Sequence, residues 1–216
     1  MTIWQRQRGR RTSEPEKPMR PRLAIFGGTF DPVHMAHLTV AKEAVLQYGL
    51  SSVLFVVAAN PPHKIGATHA SFEDRIKMVE LACAGAPELA PSRIEQYDEI
   101  SYSIQTIQRV KATAGAEAVV YFLIGADAFA DIQTWHRWSD VVREVAFIVV
   151  TRPGHHYQSP PGATVYRLNT LALPVSSSDI RARLAQGEDV PELPPGVMQY
   201  IRARGLYGVH EEDRSH

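Results

Sequence analysis

Leu23-Ala-Ile-Phe-Gly-Gly-Thr-Phe-Asp-Pro-Val-His-Met-Ala-His-Leu38 is the stretch on which the reading of the whole chain turns. Leu23 to Phe26 is a short apolar run of the kind a parallel sheet buries on both faces. Gly27 and Gly28 allow a sharp turn and close approach of the backbone to a ligand. Asp31 is expected to cap the helix that follows. Pro32 suits that helix's first position, where a missing N–H costs nothing. His34 and His37 then fall three residues apart and share one face beside the helix N-terminus. Free N–H groups and the positive end of the helix dipole make that face an anion site.

The stretch resembles the Gly-Gly-Thr-Phe-Asp-Pro-x-His-x-Gly-His loop of the nucleotidyltransferases related to class I aminoacyl-tRNA synthetases. The resemblance implies that His34 and His37 hold ATP phosphates during nucleotidyl transfer, with the turn Gly27, Gly28, Thr29 and Phe30 around the nucleotide. Ala36 stands where that pattern has glycine. Its extra methyl favours the helix and narrows the pocket slightly.

A chain of 216 residues suits one well-buried α/β domain and is too short for two comfortable ones. Lys and Arg number 23 against 23 Asp and Glu, so no global charge draws the chain to nucleic acid or membrane. A small-molecule partner fits that balance better. Cys83 is the single cysteine; an intrachain disulfide is excluded, and a reducing cytoplasm is expected. Its apolar neighbours mark it as a small core residue. No apolar segment approaches the ~18 residues a membrane helix needs.

Residues 1–21 are basic and nearly devoid of apolar side chains, so they are read as a disordered extension. Translation starting at Met19 is an alternative. The foldable domain spans 22–207, and 208–216 is a charged tail. Helical spacing predicts a first helix over Val33–Tyr48, ended by Gly49, and Val53–Val57 reads as a second buried strand. A strand–helix–strand unit of this size implies a right-handed parallel crossover. Asn60-Pro-Pro-His-Lys64 is a stiff loop at the carboxyl end of the sheet, where ligands bind in open α/β folds. It resembles the matching segment of bacterial nicotinate-nucleotide adenylyltransferases, which implies that Asn60 and Lys64 meet the mononucleotide.

Ser71 opens a helix reaching about Cys83, residues 85–91 read as a loop, and Ser101 opens a further helix. Thr106 matches a threonine that lies near the acceptor's nicotinate in that family; by itself it reads as an ordinary helical threonine. Ala118–Ile124 and Val145–Val150 are buried strands. Asp127, just past the first of these, either meets a ribose hydroxyl or steadies the loop. Trp135 and His136 fit the family's pyridine-binding turn, an indole being able to stack on a flat ring. His63, His69, His155, His156 and His210 read as solvated, and 155–163 as a mobile loop.

Val175-Ser-Ser-Ser-Asp-Ile-Arg181 is the second chemical landmark. Arg181 lies in the first turns of a serine-capped helix, against the dipole, where a bound anion would supply the missing negative charge. The segment resembles the family's Ile-Ser-Ser-Thr-x-Ile-Arg, which implies that Ser176, Ser177, Ser178 and Arg181 bind ATP. A closing helix over Pro195–Arg204 follows.

The fold class expected is Rossmann-like, doubly wound α/β with a mostly parallel sheet and a helical C-terminus. The activity implied by the resemblance is adenylyl transfer from ATP to nicotinate mononucleotide, with Mg²⁺ carried by the nucleotide, His34, His37 and Arg181 as catalytic groups, and no protein metal site. Phosphopantetheine adenylyltransferase is the nearest rival, but that family typically has threonine where His34 stands and lacks Pro-Pro-His-Lys. Nicotinamide-nucleotide adenylyl transfer and a non-catalytic nucleotide sensor are two further rivals. A hydride-transfer enzyme is disfavoured by the absence of Gly-x-Gly-x-x-Gly. A homo-oligomer stays open.

Overall fold

The computed structural model describes residues 20–61, 68–151, 157–170 and 175–209. Its centre is β1 (Arg22–Gly28), whose apolar run is paired on both sides. Helix α1 (Met35–Tyr48) returns the chain to β2 (Ser52–Val57), and α2 (Phe72–Cys83) leads to β3 (Leu89–Ser92). Helix α3 (Ser103–Ala114) precedes β4 (Val119–Gly125). The short α4 (Ala126–Ala130) and α5 (Trp138–Glu144) then lead to β5 (Ala146–Thr151) and β6 (Val165–Asn169). Two C-terminal helices, α6 (Ser177–Ala185) and α7 (Pro195–Arg204), complete the fold. The strand order is β3-β2-β1-β4-β5-β6, and each of the five pairings is parallel.

Alternating residues along each strand face opposite layers. Ala24, Tyr121, Leu123 and Ile148 join a core with α1, α2, α6 and α7. Ile25, Phe122, Ile124, Phe147 and Val149 join a second core with α3, α4 and α5. The sheet is thus covered on both faces, as purely parallel sheets require. After β1 the chain builds outward through β2 and β3, then returns to the other side of β1 with β4. The crevice for a ligand opens at that reversal, above the carboxyl ends of β1 and β4.

Four expectations are corrected. Helix α1 begins at Met35 rather than Val33, and its cap is His34, not Asp31. The Asp31 carboxylate is drawn elsewhere: it accepts from the N–H groups of His69 (2.7 Å) and Ala70 (3.2 Å) and from the Tyr207 hydroxyl (2.7 Å). Residues 89–91, the end of the stretch expected as a loop, form edge strand β3 together with Ser92. Pro91 is tolerated there because an edge leaves one side of the ladder unpaired. Helix α3 begins at Ser103 with Tyr102 as its cap, rather than opening at Ser101. Strand β6, too polar to show an apolar run, extends the far edge. The basic extension up to Met19, His63, Lys64, His155, His156, His210 and most of the charged tail lie outside the described residues.

Candidate active site

Two cavities open along the crevice and share Phe26 of β1 and Gly125 of β4 as their common wall. The first, of about 390 Å³, is lined by His34, His37, Asp127, Thr170, Ser176 and Ser177. The second, of about 590 Å³, is lined among others by Gly28, Thr29, Glu95, Thr106, Trp135 and His136.

His34 and His37 stand at the start of α1 with their ring centroids 3.7 Å apart. The His34 backbone N–H donates to His37 Nδ1 at 3.2 Å. A neutral His37 therefore carries its proton on Nε2 and can donate it to a ligand. Burial, together with the adjacent His34, holds His37 well below its ordinary pKa. Burial also lowers His34 to about 4, with Glu192 opposing the shift. Nδ1 of His34 is buried and makes no full hydrogen bond; the ring faces the His37 N–H as the other half of a capping box, and that N–H bonds the His34 carbonyl at 3.0 Å. The site thus holds two neutral imidazoles beside a helix N-terminus that has no acidic residue of its own in the first turn.

The turn that carries these histidines is held from several directions. Phe30 adopts a left-handed backbone (φ 48°) and is only 2% exposed. Its ring packs edge-on to His37 at 5.1 Å and to Phe26 at 5.6 Å. Arg75 of α2 is buried, and its guanidinium donates to the carbonyls of Thr29 and Ala58, both at 2.8 Å, and of Ala70 at 3.3 Å. Arg181 donates to the Asp31 carbonyl at 2.7 Å and to Ser178 Oγ at 3.2 Å. Ser177 donates to the Pro32 carbonyl at 2.9 Å, while Ser176 caps α6 by accepting from Asp179 N–H. The serine segment is thereby fastened to the histidine loop across 145 residues of chain.

The second cavity is built around α3. Ser101 Oγ accepts from the N–H groups of Ala59 and Asn60, both at 3.1 Å. Buried Glu95 accepts the hydroxyl proton of Thr106 and is also hydrogen-bonded by Ser101. Desolvation raises its pKa, against those two hydrogen bonds. Trp135 lies edge-to-face on Phe122 at 5.8 Å, and His136 stacks on Tyr102 at 4.3 Å. The side-chain amide of Asn60 is spent on the Asp98 carbonyl at 3.0 Å.

The residues expected from sequence divide between the two cavities in their own way. His34, His37, Ser176 and Ser177 meet in the first. Gly27, Gly28 and Thr29, expected around the nucleotide, line the second with Thr106, Trp135 and His136. Asp127, expected with the mononucleotide, lines the first from the opening turn of α4. Phe30 is packed beneath the site. Ser178, Arg181 and Asn60 are tied to neighbouring backbone or side chains rather than to either lining.

Glu95, Arg75 and Glu192 were not singled out by sequence. For Arg75 a signal exists, since it sits on the buried face of α2 beside Ile76, Met78 and Val79. The other two depend on contacts between distant segments. Cys83 is buried, and burial pushes its thiol to about 11, in keeping with a core residue.

A parallel sheet with this order, a histidine pair at the start of the first helix and a serine-capped helix fastened beside it define a nucleotidyltransferase-type site. The cytidylyltransferase-like family model matches residues 25–183. A relative from Solibacter usitatus named "Probable nicotinate-nucleotide adenylyltransferase" is 53% identical over 187 residues, covering 86% of this chain and 99% of the relative. One of the same name from Acidothermus cellulolyticus is 36% identical over 197 residues, covering 87% and 95%. The solved structure of Plasmodium falciparum nicotinic acid mononucleotide adenylyltransferase complexed with NaAD shares the fold. Its TM-score is 0.73 at 21% identity, covering 88% of this chain and 99% of that one. The chain belongs to the cytidylyltransferase-like family and, within it, to the nicotinate-nucleotide adenylyltransferases.

Proposed function

We propose that this chain joins ATP and nicotinate mononucleotide to give nicotinate adenine dinucleotide and pyrophosphate. The observation that carries the reading is the pair of cavities meeting at Phe26 and Gly125, one with the histidine pair and one with an aromatic, hydroxyl-lined wall. ATP belongs in the first and the mononucleotide in the second. An oxygen of the mononucleotide phosphate then attacks the α-phosphorus, a P–O bond forms, and the bond to the β-phosphate oxygen breaks as pyrophosphate leaves.

The attacking phosphate is already a competent nucleophile, so the protein supplies alignment and charge stabilisation rather than a general base. His37 donates Nε2–H to the phosphates at the α1 N-terminus, where the helix dipole adds to the field. Arg181 has further N–H groups beyond the two already bonded. Among the described residues no group of three or more His, Cys, Asp or Glu could cage a metal. That donor set fits a Mg²⁺ held by phosphate oxygens and water, with Asp127 as the nearby carboxylate. Bound there, the ion would neutralise charge on the departing phosphates.

Preference for the acid mononucleotide over the amide also belongs to this reading. Thr106 does not offer its hydroxyl proton to the ring carboxylate, because that proton goes to Glu95. The donors that remain at this cavity include the N–H groups opening α3, which Tyr102 caps without a side-chain bond. Two such donors suit a carboxylate, whereas a carboxamide turned to accept one presents its NH₂ to the other. A buried donor left unpaired costs about 1–3 kcal/mol. With more than one contact involved, kcat/KM should favour the acid by roughly a hundredfold. Steady-state assays with nicotinate mononucleotide, nicotinamide mononucleotide and phosphopantetheine at saturating Mg-ATP test the reading. Equal efficiency with the two mononucleotides would remove the acid assignment, and turnover of phosphopantetheine alone would remove the whole reading.

A further inference from the structure

Behind the histidine pair lies a carboxylate with no part in the chemistry above. Glu192, in the segment between α6 and α7, accepts the Met35 N–H through its backbone carbonyl at 2.8 Å, which fastens it to the first turn of α1. One carboxylate oxygen, Oε1, takes a hydrogen bond from Arg183 at 2.9 Å, and Arg183 also meets Glu188 at 3.3 Å. The other oxygen, Oε2, is buried and has no partner. His34 Nδ1 is likewise buried and makes no full hydrogen bond, its ring standing over the His37 N–H only as one half of a loose capping box. Two unsatisfied buried polar atoms of complementary chemistry on neighbouring segments call for an explanation, because each costs free energy in the resting state.

We propose that Glu192 is a positioning residue for His34: when the phosphates of ATP bind, His34 takes up a proton from solvent, donating Nε2–H to phosphate and Nδ1–H to Glu192 Oε2. The proposal rests on the adenylyltransferase reading of the first cavity. It divides the labour within the pair. His37 stays neutral, because its Nδ1 already accepts the His34 N–H and a second charge 3.7 Å away would be repelled. His34 becomes the cation, because it has the carboxylate. The other charged groups around it are Asp127 across the cavity, Arg183 behind Glu192, and Arg181 beside the Asp31 carbonyl. Glu192 itself is held below the usual carboxylate range, chiefly by its own backbone N–H and by Arg183, so it is ionised and ready to accept. Burial that keeps His34 neutral in the free chain is then overcome by two anions at once, phosphate at one nitrogen and carboxylate at the other.

The test is calorimetric titration of the full chain with Mg²⁺ and a non-hydrolysable ATP analogue, near neutral pH, in buffers of different ionisation enthalpy. The wild type should take up a large fraction of a proton per nucleotide bound. Glu192→Gln keeps an acceptor for Arg183 but removes the charge. It should take up several-fold less and bind roughly tenfold more weakly, the cost of one charge-assisted contact. His34→Asn should abolish the uptake. Nitrogen-15 spectra of His34 in the wild-type complex should show both ring nitrogens protonated. Should Glu192→Gln not fold, Glu192→Asp keeps the charge while drawing the oxygen back, and intermediate uptake is expected. Equal uptake in wild type and Glu192→Gln, or nucleotide binding by the wild type with none, overturns the proposal and leaves the adenylyltransferase reading standing. Failure of the wild type to bind the analogue overturns that reading and this one with it.

Discussion

Replacing Gly28 by alanine tests whether the glycine turn is shaped by the ring beneath it. A Cβ built at Gly28 would lie 3.0 Å from Phe30 Cζ and 3.2 Å from both Cε atoms. At Gly27 the nearest atom to a new Cβ, Phe122 Cζ, is 3.7 Å away, an ordinary contact. The Phe30 ring must therefore retreat by roughly half an ångström to admit the methyl, and it has nowhere free to go. It is 2% exposed, with Phe55 at 5.3 Å on one side and His37 at 5.1 Å on another. Overpacking of this kind costs about 1–3 kcal/mol. In a chain of this size that lowers the melting temperature by about 2–12 °C. Gly27→Ala should cost under about 0.5 kcal/mol. Both glycines line the second cavity, so both variants lose turnover. Thermal melts without nucleotide separate them. A Gly28→Ala protein melting within about 1 °C of wild type would refute the argument that the ring sets the turn.

Two further perturbations probe the same frame. His34 has an ordinary pKa of 6.5 and is lowered to about 4 in the fold, so between those values the unfolded chain binds more protons. Stability of the free chain should therefore fall on acidification, by about 2 kcal/mol from this group between pH 7 and pH 5, and urea melts of His34→Gln should lack that part of the slope. Arg75→Met removes two short charge-assisted bonds and strands the Thr29 and Ala58 carbonyls, for a loss of about 3 kcal/mol. Arg75→Lys should recover only part of it, because one ammonium lacks the guanidinium's fork; full recovery by lysine would show that charge alone matters.

How much was legible depends on whether a feature is local in the chain. Strands β1, β2, β4 and β5 are apolar runs bounded by glycine or polar residues, and their identity needs no partner to be seen. Ser71 and Gly49 mark helix ends by their own chemistry, one as an N-cap acceptor and one at φ 58°. Strands β3 and β6 are invisible by the same standard: each is short and carries polar residues or proline, and each is a strand because a neighbour offers a ladder. Asp31 shows how tertiary partners override a local preference. Followed by proline and placed before a helix it reads as a cap, yet the N–H groups at 69 and 70 and the Tyr207 hydroxyl capture its carboxylate. Once Asp31 is taken, the cap falls to His34, which brings it to the very first turn. At the site, the histidine pair and serine segment are motifs within single stretches. Glu95 and Glu192 owe their positions to contacts 11 residues away with Thr106 and across the fold with Met35.

The order of the strands explains why these particular segments carry the site. Adenylyl transfer needs two anionic substrates brought end to end, which is unfavourable unless the protein holds them from separate sides and supplies positive potential where they meet. A sheet built outward from β1 in both directions leaves a crevice at one place, above the carboxyl ends of β1 and β4, and both cavities use it. Of the shared wall, Gly125 ends β4, and Phe26 lies just inside the end of β1, which closes at Gly28. The first helix after β1 then points its N-terminus at the junction, and the helix after β3 opens onto the second cavity. Each cavity thus receives a helix N-terminus from a different layer of the fold, α1 from one face of the sheet and α3 from the other. Two anions can be stabilised without a cluster of exposed cations, which is how a chain with a formal charge of zero can bind two nucleotides. The buried cation Arg75 completes the arrangement by fastening Thr29, at the end of the glycine turn, to Ala58, at the end of β2. Thr29 and Ala58 both line the second cavity, so this one guanidinium sets the spacing of two of its walls.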